Sequence, residues 1–164
     1  VKYIWPVAAP PKVRRNATSN TFGMVRKYAD GRPKPHQGLD AHAHDGTPIL
    51  AVADGRVVGT ADRGAYGKQL VLELAEPAAH GAKYAFYAHL SRFDVAVGDV
   101  VTQGQVLGTS GSSGNAQGMG PDDQHLHFEA RTVPWPGLGL EGRVSPLGAF
   151  GWKFSARTGA VTLE

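Results

Sequence analysis

The chain has 164 residues, 41% of them apolar and 19% charged, which points to one domain with a real core and excludes a disordered tail. Gly (22) and Pro (11) are too frequent for a helical bundle, and the absence of cysteine excludes disulfides, thiolate metal sites and a cysteine nucleophile. Net charge is +3 but uneven: residues 1–35 hold eight Lys/Arg against one acid, whereas residues 36–164 hold nine against thirteen.

Residues 1–34 read as an irregular basic arm that packs on the domain, because Pro6, Pro10 and Pro11 interrupt any regular element. A basic arm favours anionic partners, but Lys12, Arg14 and Arg15 lack the interleaved aromatics that nucleic-acid binding wants. The arm is therefore read as a solvated segment, and no nucleic-acid partner is expected. From Thr47 the pattern changes. Pro48 to Ala53 runs into Asp54-Gly55 and then Arg56 to Gly59, a hairpin signal. Gln69 to Leu74 places Leu70, Leu72 and Leu74 on one face. Lys83 to His89 is an aromatic-rich strand, and Val95 to Leu107 gives short strands and turns. Ser110 to Gly120 is Gly/Ser-biased and reads as a mobile loop beside a site. His125 to Arg131 alternates strictly, and residues 132–164 read as a loop and edge elements.

No window shows a sustained 3.6-residue period. The expected fold is therefore mainly β, a single domain built on antiparallel sheet around a narrow groove, with few or no helices. No apolar run nears the ~18–20 residues of a membrane span. No signal peptide is visible, and a chain starting at Val1 reads as an excised fragment.

The seven histidines carry the chemistry. On a strand, His125, His127 and Glu129 share one face while Leu126, Phe128 and Ala130 share the core face. Two such imidazoles can converge on one metal, or one can bind metal while the other moves protons. His36 and Asp40, four apart around Gly38, form an N/O donor set that suits Zn²⁺. His89 ends the aromatic strand, and alone it reads as a structural histidine. His42 and His44 follow Asp40 at i+2 and i+4, so spacing alone leaves them open as ligands.

His36-Gln37-Gly38-Leu39-Asp40, Gly46-Thr47-Pro48-Ile49, Ala53-Asp54-Gly55-Arg56-Val57, Tyr87-Ala88-His89-Leu90-Ser91, Val97-Gly98-Asp99-Val100-Val101, Gly104-Gln105-Val106-Leu107-Gly108 and His125-Leu126-His127-Phe128-Glu129 occur in this order. Together they resemble the lysostaphin/LytM-type zinc metallopeptidases over residues 22–131, read as the catalytic core. The resemblance implies one Zn²⁺ held by His36, Asp40 and His127, with His89 and His125 acting on water and the developing oxyanion. It demotes His42 and His44. It implies a peptide substrate in bacterial peptidoglycan cross-links or bridges. The implied place is the cell envelope, periplasmic or extracellular, or a secreted effector reaching it, and the expected state is a monomer. Glu129 is a candidate to orient a ligand imidazole from behind, with a surface or cross-strand ion pair as the equal alternative. Three protein ligands would leave zinc's fourth position open for water. Met119 to Gln124 lengthens the loop before the His-Leu-His motif relative to the family, which bears on groove shape. The competing expectations are a catalytically silent wall-peptide or partner-binding module of the same fold, and a lipoyl-like carrier. The carrier lacks a lysine at a hairpin tip.

Overall fold

The computed structural model describes residues 2–163. Its strands are β1 (Gly23–Lys27), β2 (Pro33–His36), β3 (Leu39–His42), β4 (Pro48–Leu50), β5 (Gly55–Arg63), β6 (Gly67–Leu74), β7 (Tyr84–Phe93), β8 (Val100–Val101), β9 (Val106–Ser110), β10 (His125–Arg131), β11 (Arg143–Val144), β12 (Lys153–Phe154) and β13 (Val161–Thr162). One short helix, α1 (Pro146–Phe150), and a few 3₁₀ turns complete the described elements. A nine-stranded sheet runs β11-β10-β7-β6-β5-β8, with β3 added on β10 and β9 joining β7 to β4. Every pair is antiparallel. The mainly β architecture expected from turn content and alternation is the one observed.

Alternation explains how the sheet buries its faces. Leu126, Phe128 and Ala130 of β10 join Leu70 and Leu72 of β6 and Tyr87 of β7 in the main core. A smaller cluster, Val71, Phe86 and Ala88, lies on the opposite face beside Tyr66. Residues near both ends of the described stretch feed the main core. Trp5 packs on Trp152 at 5.1 Å between ring centroids, and Phe150 meets Phe128 at 5.7 Å. Each such aromatic contributes about 1.5–3 kcal/mol by leaving water.

Three expectations need correction. The arm is not irregular throughout, since β1 and β2 form a hairpin. Its turn uses Asp30-Gly31, with Gly31 at φ 87° and the Tyr28 N–H donating to the Arg32 carbonyl. The hairpin read at Asp54-Gly55 does not form. β4 pairs with β9 instead, and β5 pairs with β6 and β8. Gly55 serves close approach, because a Cβ there would lie 2.3 Å from the Glu73 carbonyl oxygen. The Ser110–Gly120 loop is anchored rather than loose. Ser113 Oγ donates to the Leu90 carbonyl and accepts from the Lys68 N–H, and the Asn115 N–H donates to the Ala65 carbonyl.

Candidate metal centre and groove

Strand register brings the first two groups together. Asp40 on β3 stands directly opposite His127 on β10, so their side chains meet on one face. His36 arrives from the end of β2 through Gln37-Gly38. A Cβ on Gly38 would lie 2.4 Å from the Phe128 carbonyl oxygen, so only glycine lets this link press against β10.

The resulting contacts are specific. Asp40 Oδ1 lies 3.2 Å from His36 Nε2 and 3.0 Å from His127 Nδ1. The three donor atoms fall within 4.8 Å of one another, and all three residues are buried. The other ring nitrogens are already engaged. His36 Nδ1 faces the Thr21 carbonyl at 2.9 Å, and His127 Nε2 faces Glu129 Oε2 at 2.7 Å. Those partners accept hydrogen bonds, which orients each ring and points its other nitrogen at Asp40. Two imidazole nitrogens and a carboxylate oxygen, with backs tied by acceptors, fit a zinc ion.

Electrostatics follow from burial and pairing. Burial alone would raise the Asp40 carboxyl, but hydrogen bonds from His127 and His36 hold it well below its usual range. Burial would lower His127, yet Asp40 and Glu129 lift it to about 9, so without a metal it holds a second proton that a cation can displace. Asp40 Oδ2 is held from the other side by Arg26 Nη2 at 2.9 Å, with Arg14 Nη1 at 3.7 Å. Arg15 pairs with Asp123. These contacts overturn the reading of the arm as a solvated segment. Arg14 and Arg26 converge on the one carboxylate of the cluster, while Arg15 ties the arm to Asp123.

His125 sits beside the cluster, its Nε2 3.8 Å from Asp40 Oδ1 and its Nδ1 2.8 Å from the Asp123 carbonyl. His89 lies 5.1 Å from His125 between ring centroids, and its Nδ1 donates to the Ser113 carbonyl at 2.8 Å. Burial and the neighbouring His127 and His125 push His89 down to about 4, and burial also lowers His125. Both are neutral near pH 7.

A bulge aims His89. Lys68 pairs with Leu90 and Leu70 with Tyr87, so Ala88 and His89 together oppose Gln69. His89 takes φ 61° at this point. Plain alternation would have sent it to the core with Tyr87. The bulge turns it to the groove face and returns Leu90 to the core.

Glu129 is fully buried and accepts from four donors: His127 Nε2 and the Tyr66 hydroxyl (2.6 Å) on Oε2, and Arg131 Nε (2.7 Å) and Arg143 Nε (2.6 Å) on Oε1. It is thus both a buried ion-pair partner and a support for His127. Tyr66 also stacks on His127 at 4.9 Å, 24° between planes. Tyr66, Arg14, Arg26 and Arg143 carried no signal in the sequence. Arg131 did, since it shares the Glu129 face of β10 two residues on. His42 and His44 contact each other, 4.8 Å between ring centroids, and stand apart from the His36–Asp40–His127 group. Above the cluster runs a groove of about 680 Å³ walled by the β1–β2 hairpin, the Arg63–Tyr66 turn, Asn115, Met119 and Leu138.

Comparison with known proteins agrees with this geometry. Residues 34–138 match peptidase family M23. The chain is 39% identical over 97 residues to glycyl-glycine endopeptidase ALE-1 of Staphylococcus capitis, covering 59% of this chain. It is 33% identical over 120 residues to peptidoglycan DD-endopeptidase ShyB of Vibrio cholerae, covering 72% of this chain. It spans only 25% of the length of each. Among solved structures, the catalytic domain of lysostaphin from Staphylococcus simulans matches with a TM-score of 0.59 at 29% identity, over 77% of this chain and 86% of that one. A zinc-containing peptidase from Vibrio cholerae matches with a TM-score of 0.57 at 27% identity, over 81% of this chain and 35% of that one. Order of motifs, sheet topology and the His-Asp-His cluster agree with these matches, and the chain belongs to peptidase family M23.

Proposed function

We propose that this domain is a zinc-dependent endopeptidase that hydrolyses peptide bonds in bacterial peptidoglycan cross-links or bridges. The observation that carries the reading is the convergence of His36 Nε2, Asp40 Oδ1 and His127 Nδ1 on the groove floor, with His89 and His125 beside them. His36, Asp40 and His127 would hold the ion. Bound there, zinc supplies Lewis acidity for the scissile carbonyl and lowers the pKa of water.

The remaining work falls to the chain's own side chains. His89 and His125 each have Nδ1 tied to a backbone carbonyl, which leaves Nε2 as the nitrogen that exchanges protons. Being neutral, they accept the proton of the attacking water, donate a hydrogen bond to the developing oxyanion once charged, and return the proton to the departing amine. Glu129 keeps His127 oriented, and Arg26 keeps Asp40 turned toward the histidines. The relatives named for glycyl-glycine and DD cleavage support a wall-peptide substrate and an envelope location. Among the described residues no helix is long and apolar enough to cross a membrane.

The test is digestion of purified peptidoglycans of differing cross-link, with and without chelator, read by mass analysis of the fragments. Chelator-sensitive release of new amine ends is expected. A zinc-loaded, folded protein that releases none from any wall would favour the silent wall-binding module instead.

A further inference from the structure

The groove is charged on one side of the ledger only. Arg14, Arg26, Lys34 and Arg63 line it, and among the described residues Asp40 is its single carboxylate. Arg14 and Arg26 are engaged, holding Asp40 Oδ2, and Arg14 also reaches Asp123 at 3.3 Å. Lys34 and Arg63 are different. Among the described residues neither forms an ion pair. Each lies over an aromatic ring: Lys34 Nζ is 5.5 Å from the Tyr28 centroid, and Arg63 Cζ is 5.7 Å from the Trp135 centroid. One stands on β2, two residues before His36, and the other ends β5 on another wall. Stacking restrains their long side chains before any ligand arrives, which lowers the ordering cost of binding.

Cations on the walls of a cleft raise the local concentration of anions. An uncharged glycine bridge has nothing to offer them. A cross-link peptide with a free carboxylate near its scissile bond does. We propose that Lys34 and Arg63 select peptides carrying such a carboxylate over the same peptides amidated, a specificity that rests on the peptidase reading of this groove. An exposed charge pair is worth about 1.4- to 5-fold in binding, so two give roughly 2- to 25-fold.

The test uses two synthetic cross-link peptides of one sequence, one with a free carboxylate on the residue next to the cut and one with its carboxamide. Binding to the zinc-loaded chain is read by fluorescence anisotropy, and cleavage as kcat/KM, at low salt. The acid is expected to win by about 2- to 25-fold. That ratio should fall toward one in the Lys34→Gln/Arg63→Gln double variant, and in wild type at high salt, where exposed charges are screened. Equal binding of acid and amide, or a ratio that survives both substitutions, overturns the assignment. A preference in binding without cleavage upholds it and counts against the peptidase reading. Cleavage without preference does the reverse, and no binding of either peptide overturns both.

Discussion

Glu129→Gln keeps the shape of a fully buried side chain and removes its charge. In the native protein one carboxylate oxygen serves His127 and Tyr66 while the other serves Arg131 and Arg143. An amide has one oxygen, so its NH₂ must face either the imidazole and phenol or two guanidiniums whose side chains are each 2% exposed. Removing one partner of a buried ion pair costs about 3–5 kcal/mol. Both arginines retain backbone acceptors, Pro134 for Arg131 and Gly137 and Gly139 for Arg143, which favours the lower end, about 3 kcal/mol. A domain of this size loses about 2–4 °C of Tm per kcal/mol, so a fall of roughly 6–12 °C is expected in circular-dichroism melts at pH 7. Zinc affinity, read by competition with a chromophoric chelator, should drop about 10- to 100-fold, because His127 loses its orienting acceptor. The pH dependence has a definite sign. Burial would raise the Glu129 carboxyl, but His127, Arg131 and Arg143 hold it far below its usual range. Its contribution is complete above the unfolded carboxyl's pKa of about 4.3 and is lost as pH falls through the folded value. The gap between wild type and variant should therefore narrow on acidification below about 4.3. A melt within about 2 °C of wild type at pH 7, with unchanged zinc affinity, would refute the reasoning.

Asp40→Ala and His127→Ala should each abolish zinc retention, measured by elemental analysis, together with peptidoglycan cleavage. His125→Ala should keep its zinc and lose about 10²- to 10⁴-fold in turnover, and a zinc-free His125→Ala would show that the roles of the two β10 histidines are exchanged. Arg26→Gln should weaken zinc binding about 10-fold in the chelator competition, with Arg26→Lys recovering part of it. An unchanged affinity would mean that the Arg26–Asp40 contact does not orient the carboxylate. Gly67→Ala should lower Tm by several degrees, since a Cβ there would sit 2.4 Å from the Gly114 nitrogen at a φ of 61°. A Tm equal to wild type would show that the 64–67 turn and the Gly114 loop can part freely.

Strand β10 was legible residue for residue, because strict alternation of His125, His127 and Glu129 with Leu126, Phe128 and Ala130 admits one register against a core. The His36–Asp40 spacing was also legible, with Gly38 marking the bend between them. His89 was reached only through the family resemblance, since period-two reading sends it to the core face and the bulge opposite Gln69 re-aims it. Two Asp-Gly pairs misled in opposite ways. At Asp54-Gly55 the glycine serves close approach to Glu73, whereas Asp30-Gly31, hidden among basic residues and prolines, makes the real turn. The arginines of the arm looked solvated because their acidic partners, Asp40 and Asp123, lie 14 to 109 positions away. No local pattern encodes a contact of that kind. Tyr66 and Arg143 reach Glu129 from 63 and 14 residues off for the same reason.

Ser113 fastens three things at once: the Leu90 carbonyl, the Lys68 amide and, through its own carbonyl, the imidazole of His89. Everything from Gln117 to Asp122 lies beyond that fastening, yet Met119 still forms part of the groove wall. Changes in this stretch can therefore reshape the groove wall without unfastening His89, whereas its far end, where the Gly120 carbonyl takes the Asp123 and Gln124 amides, is tied to the segment that holds His125.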